Sequence, residues 1–167
     1  MGSKQEKQVV LIIHNVRSAH NVGSMFRTAD GAGVERILLT GYTPLPPEEN
    51  KLFYTPAEKA FRKTALGAEK TMPWKKFRLF RTAARRIKSE GFELVALEQT
   101  KESVEYQSFR ASKKTALVVG NEVRGMDVRI VRQCDASIEI PMRGKKNSLN
   151  VSVAAGIALY HITSTMK

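Results

Sequence analysis

One cysteine, Cys134, stands in 167 residues. No disulfide can form within such a chain, so the fold must rest on its core. No apolar run approaches the ~20 residues of a membrane span. The opening Met-Gly-Ser-Lys-Gln-Glu-Lys-Gln is polar and holds no signal-peptide core. These absences favour a reducing, cytoplasmic setting. Residues 1–8 read as disordered or tag-derived, and residues 9–167 as one domain. No Gly-x-Gly-x-x-Gly follows the first apolar run, and there is no Walker loop. Cys134 lacks partners for a metal site, and His14, His20 and His161 have no ligand spacing, so no metal is expected. Ser148 sits in no nucleophile-elbow context. The ordinary dinucleotide, P-loop and hydrolase readings therefore fail. Acid is scarce too. Sixteen Asp and Glu face 28 Lys and Arg, leaving a formal charge of +12. Such a surplus points to a polyanionic partner, nucleic acid above all.

What is present has the order of an α/β domain. Residues 9–13 (Val-Val-Leu-Ile-Ile) form a β-branched run that predicts a strand buried on both faces. Asn21 is placed to cap the next helix, whose core stripe is Val22, Met25, Phe26, Ala29 and Gly33. At 100° per residue Arg27 falls off that stripe, towards solvent or a ligand. Residues 36–40 give a second strand and complete a β-α-β unit, which implies a parallel sheet. Residues 41–63, interrupted by Pro44, Pro46, Pro47 and Pro56, read as an irregular, mobile loop. Residues 64–69 are small enough to allow close backbone approach. Residues 75–90 carry a helical pattern with Phe77, Phe80, Ala84 and Ile87 inward and a basic remainder. That basic face fits either plain solvation or phosphate binding. Residues 92–97, 116–119 and 137–140 read as three further strands, with a short helix over 128–134.

From residue 151 the chain is apolar almost all round, through Val151, Val153, Ala154, Ala155, Ile157, Ala158, Leu159 and Ile162. A helix of that kind is normally covered on every side. Either it sits deep in the fold or a second subunit covers its far side. Asn147, Ser148 and Asn150 can each cap it. Three polar, glycine-bearing clusters follow predicted strands: residues 21–27, 120–126 and 140–150. Ligands of open α/β sheets bind beyond the carboxyl ends of strands, so these clusters make one site.

The clusters Asn21-x-Gly23-x-x-x-Arg27, Gly120-x-Glu122-x-x-Gly125 and Ile140-Pro141-Met142-x-Gly144-x-x-x-Ser148-Leu149-Asn150 resemble the three motifs of the SpoU (TrmH) branch of the SPOUT RNA methyltransferases. The match runs from about residue 9 to about residue 163, and residues 64–69 resemble that family's glycine-alanine segment. The resemblance implies an open, mostly parallel sheet with helices on both faces and a deep C-terminal trefoil knot. Residue patterns alone give only a plain doubly wound sheet. It implies transfer of a methyl group from S-adenosyl-L-methionine to a ribose 2′-hydroxyl of RNA, by a homodimer. Transfer RNA is the preferred substrate, because a minimal dimer suits a compact stem-loop, with ribosomal RNA second; the alternative is a non-catalytic knotted RNA-binding protein. Arg27 matches the arginine at the reacting hydroxyl and Asn21 the residue that positions it. Glu122 is expected to fix loops by hydrogen bonds, and Ser148 and Asn150 to orient catalytic groups or cofactor. Leu97, Gly120, Ile140, Ser148 and Leu149 would line the cofactor pocket. Arg124, Arg143, Lys145 and Lys146 lie where they would meet RNA phosphates. His161 departs from the acidic residue frequent near the end of relatives, which bears on the dimer interface.

Overall fold

The computed structural model describes residues 7–165; the N-terminal expectation for residues 1–8 falls mainly outside them. Seven strands form one sheet in the order β3-β2-β1-β6-β4-β7-β5, with every pair parallel. The strands are β1 (Gln8–His14), β2 (Arg36–Thr40), β3 (Trp74–Phe77), β4 (Glu93–Leu97), β5 (Val104–Glu105), β6 (Lys114–Val119) and β7 (Ala136–Glu139). The helices are α1 (Ala19–Gly31), α2 (Pro56–Ala65), α3 (Ala68–Thr71), α4 (Phe80–Ser89), α5 (Val128–Val131) and α6 (Val151–Thr165). The parallel α/β reading of the sequence is therefore shown. Among the described residues no helix is long and apolar enough to cross a membrane.

Strand β1 lies between β2 and β6, with Val10 opposite Arg36 on one side and Ala116 on the other. A strand in that position has no solvent face, which is why it is apolar throughout. Its side chains alternate between two cores. Val9, Leu11 and Ile13 face one that also holds Phe26, Phe61 and Leu159, from α1, α2 and α6. Val10 and Ile12 face the other, filled by Phe80, Ala83, Ala84 and Ile87 of α4. Residues on α5 and just after it, Ile130, Val131 and Cys134, pack against this second core.

Helices α1 and α2 run antiparallel. The Thr64 hydroxyl donates to the His20 carbonyl at 2.8 Å, while the Phe26 and Phe61 rings meet edge to face at 5.3 Å. The approach is close because residue 23 is glycine: a Cβ there would collide with the Phe61 carbonyl and the Thr64 hydroxyl. The expected close approach at residues 64–69 is thus real at its first residue. The chain then turns over through Leu66 and Gly67, both left-handed.

Three sequence readings are corrected. Residues 41–63 are not irregular throughout, since α2 begins at Pro56. Thr55 caps it, accepting from the Glu58 N–H while Glu58 accepts from the Thr55 N–H, a capping box with proline in the first turn. The helix expected from residue 75 starts at Phe80, because Trp74–Phe77 pairs with β2 as an edge strand. Asn21 is not the cap of α1. Ser18 is, accepting from the Asn21 N–H at 3.2 Å. Of the two alternatives for α6, deep burial within its own chain is excluded: it is covered on one face, through Ala155, Ala158, Leu159 and Ile162, and Val153 and Tyr160 stay about half exposed.

Candidate active site

Because every strand is parallel, all carboxyl ends lie on one edge of the sheet. Three of them, β4, β6 and β7, run into a pocket of about 290 Å³. Its apolar wall includes Leu97, Val119, Ile140, Met142, Leu149 and Ala154, and its polar groups include Glu98, Glu122, Arg124 and Ser148. Gly120 admits the next loop closely: a Cβ there would lie 3.2 Å from the Met126 side chain. A cleft with apolar and polar groups in about equal share suits a flat heterocycle joined to a polar chain. S-adenosyl-L-methionine is such a molecule, so the residues present fit the expected cofactor.

The loops around this pocket are tied to one another. Glu122 accepts from the backbone N–H groups of Arg17 and Ser18, both at 3.0 Å, and from the Asn21 amide at 3.2 Å. The Asn21 side-chain oxygen accepts from the Asn150 amide at 3.1 Å. Asn150 in turn starts α6, accepting from the Ser152 N–H at 2.8 Å. One residue from each of the three sequence clusters thus enters a single hydrogen-bonded chain. Burial pushes the Glu122 carboxyl up, but the N–H groups of Arg17 and Ser18 and the Asn21 amide outweigh it. Together they hold the group below the ordinary carboxylate range and so ionised.

A second set of bonds shapes the loop after β6. The Asn121 amide donates to the Asn15 carbonyl and the Tyr42 hydroxyl, each at 3.0 Å. Its oxygen accepts from the N–H groups of Val123 and Arg124. Glu98 accepts from the Met126 N–H at 2.7 Å, and Gln99 donates to the Asn147 carbonyl at 3.0 Å. The two residues after β4 therefore clasp both of the loops that enclose the pocket.

The expected cofactor residues Leu97, Gly120, Ile140, Ser148 and Leu149 all line this pocket, and so do Glu122 and Arg124. Asn21 and Asn150 are not on its wall; Asn21 bonds Glu122, and Asn150 bonds Asn21. Arg27 is not on the wall of its own chain's pocket. It lies six residues along α1 from Asn21, about 9 Å by helical rise. It is exposed and, among the described residues, makes no hydrogen bond or ion pair. Arg143, Lys145 and Lys146 are exposed on the loop after β7 and do not line the pocket. Sequence reading missed Glu98 and Gln99, and gave Asn121 no role within its cluster. Their signal was available: polar side chains directly after β4 and β6, at the ligand-binding ends of parallel strands.

The family model of the SpoU rRNA methylases matches residues 8–160. The chain is 34% identical, over 94% of its length, to a tRNA (guanosine(18)-2′-O)-methyltransferase of Aquifex aeolicus, of which it covers 69%. It is 31% identical, over 95% of its length, to a putative TrmH family tRNA/rRNA methyltransferase of Staphylococcus aureus, of which it covers 62%. Its fold matches an AdoMet-bound rRNA methyltransferase of Sinorhizobium meliloti with a TM-score of 0.80 at 29% identity, covering 93% of this chain and 56% of that one. The chain thus spans between about half and two thirds of these relatives. With the three sequence clusters joined at one pocket and the family match running through all of them, the chain belongs to the SpoU methylase family.

Proposed function

We propose that this protein methylates the ribose 2′-hydroxyl of an RNA nucleotide, using S-adenosyl-L-methionine, and that transfer RNA is its substrate. The observation that carries the reading is the chain of hydrogen bonds from Asn150 through Asn21 to Glu122 beside the pocket. The family match and the AdoMet-bound neighbour support it. The bound cofactor supplies an electrophilic methyl group; binding, orientation and charge stabilisation fall to the protein. Leu97, Ile140 and Leu149 hold the cofactor's apolar parts, while Gly120 lets backbone approach it. Arg27 serves as a forked, charged donor. Its work is to hold the ribose-phosphate and stabilise negative charge developing on the 2′-oxygen. Asn21 and Glu122 fix the start of the helix that carries Arg27. Ser148 orients groups at the pocket mouth, and Arg124, Arg143, Lys145 and Lys146 contact phosphates.

The working unit in this reading is a homodimer whose chain is knotted near its C-terminus. The outward face of α6, with Val153 and Tyr160 exposed and Ile157 half-buried, supports the dimer. So does the absence of Arg27 from its own chain's pocket wall, which leaves it free to serve a partner's. The test is to incubate the protein with labelled S-adenosyl-L-methionine and RNA from a strain lacking its gene, then digest and analyse nucleosides by mass spectrometry. A 2′-O-methylnucleoside in tRNA is expected. The same product in ribosomal RNA would move the substrate, and a base methyl or no transfer at all would overturn the reading.

A further inference from the structure

Residues 75–90 hold seven cations, Lys75, Lys76, Arg78, Arg81, Arg85, Arg86 and Lys88, against one carboxylate, Glu90. That is half of the net charge of the chain in about a tenth of its length. Some of it is neutralised: Arg86 and Arg36 pair with Glu90, and Lys88 pairs with Asp135 at 2.7 Å. Lys76 is turned inward, donating to the carbonyls of Gly41 and Thr43. Arg78, Arg81 and Arg85 are different. All three are exposed, and among the described residues none of their side chains makes a hydrogen bond or ion pair. Arg81 and Arg85 are one turn apart on α4, well away from its buried face of Phe80, Ala83, Ala84 and Ile87. Like charges at that spacing weaken a helix. Arg81 also lies in the first turn, where the macrodipole disfavours a cation. Folding alone does not call for this arrangement.

Its place on the sheet supplies a reason. Arg78 follows the carboxyl end of β3, so it stands on the same edge as the pocket. Three strand spacings separate β3 from β6, about 14 Å. From there α4 leads down the sheet face opposite α1 and α6, carrying Arg81 and then Arg85 away from that edge. Lys75, exposed and level with Leu38 on the α4 face of the edge strand, stands beside the row. We infer that β3 and the outer face of α4 form a second RNA-contacting surface, which grips the phosphodiester backbone of the substrate outside the modified nucleotide. Guanidinium groups suit that task, because their forked donors match phosphate oxygens in pairs. The inference rests on RNA being the substrate, and it adds a surface that the pocket and its loops do not include.

The test uses the full chain carrying Arg78→Gln, Arg81→Gln and Arg85→Gln. A control removes equal charge from other exposed positions: Lys101→Gln, Arg110→Gln and Lys113→Gln. Filter binding of whole tRNA is measured across a salt series. The first variant should bind tenfold or more weakly at low salt, and its slope of log K against log salt should fall by about two units, as three lost phosphate contacts require. The control should keep most of the parental affinity. Cofactor affinity, and methyl transfer to a short oligonucleotide holding only the target site, should match the parent in both. Equal loss in the two variants, or an unchanged slope in the first, overturns the surface. Unchanged RNA binding with lost binding to anionic lipid vesicles overturns it in favour of a membrane. Binding is read without turnover, so a parent that binds RNA but never methylates it would defeat the proposed function and leave this surface standing.

Discussion

Glu122 accepts from three donors drawn from two backbone positions and one side chain, whereas Arg78, Arg81 and Arg85 meet no acceptor among the described residues. The pocket loops satisfy their polar groups against each other, and the result is a shaped, pre-organised cleft. The α4 surface leaves its charge open, and the result is a surface available to a polyanion. Arg27 belongs with the second group although it grows from a helix anchored by the first. A side chain left unengaged on an anchored helix is available to a ligand, as the role proposed for Arg27 needs.

That contrast can be broken in graded steps. The largest effect is expected from Arg27→Ala, which removes an unengaged side chain. Turnover should fall by about a hundredfold to a thousandfold, with the melting temperature and cofactor affinity by calorimetry unchanged. Parental turnover would show that Arg27 is misassigned. Next comes Glu122→Ala, which leaves three donors without their acceptor and should cost about 3 kcal/mol in denaturant unfolding. The milder Glu122→Gln reads the charge itself. With its folded value below the ordinary one, Glu122 stabilises the protein fully above about pH 4.3. That contribution is lost as pH falls through the lowered value. The stability gap between parent and Glu122→Gln should therefore close in acid; a gap that persists unchanged would deny the carboxylate its role. Gly23→Ala forces α1 away from α2 and should cost about 2 kcal/mol, seen as a lower melting temperature with a matching loss of activity. Smallest of all, Gln99→Ala removes one exposed bond across the pocket mouth, worth about 0.5 kcal/mol. It should raise the cofactor KM two- to threefold and leave kcat alone.

Much of this layout was legible in the residues. Residues 9–13 and 116–119 announce themselves because a strand covered on both faces needs an unbroken apolar run. Trp74–Phe77 does not, because an edge strand tolerates lysines and two of its four residues are exposed; the helical spacing of Phe77 with Phe80 and Ala84 then dominates. Prolines hid α2, although Pro56 lies in the first turn, where proline is welcome, and Thr55 with Glu58 spelled the start. At the site, the pocket walls Leu97, Gly120, Ile140 and Leu149 were reachable through motif resemblance. The partnership of Asn21 with Glu122 was not, since it joins residues about a hundred positions apart and no local pattern reports it. Reading Asn21 as a cap followed from looking only at its neighbours, when Ser18 already filled that role.

The position of β1 bears on how the protein is made. Gln8 lies opposite Lys114, so the central strand β1 gains its second neighbour only when β6 has left the ribosome. At about 5–20 residues per second, that leaves one apolar edge unpaired for roughly five to twenty seconds of translation. A nascent chain of this protein therefore passes through an interval in which native pairing does not yet protect that edge, and slowing synthesis between β2 and β6 should lower the recovered soluble fraction.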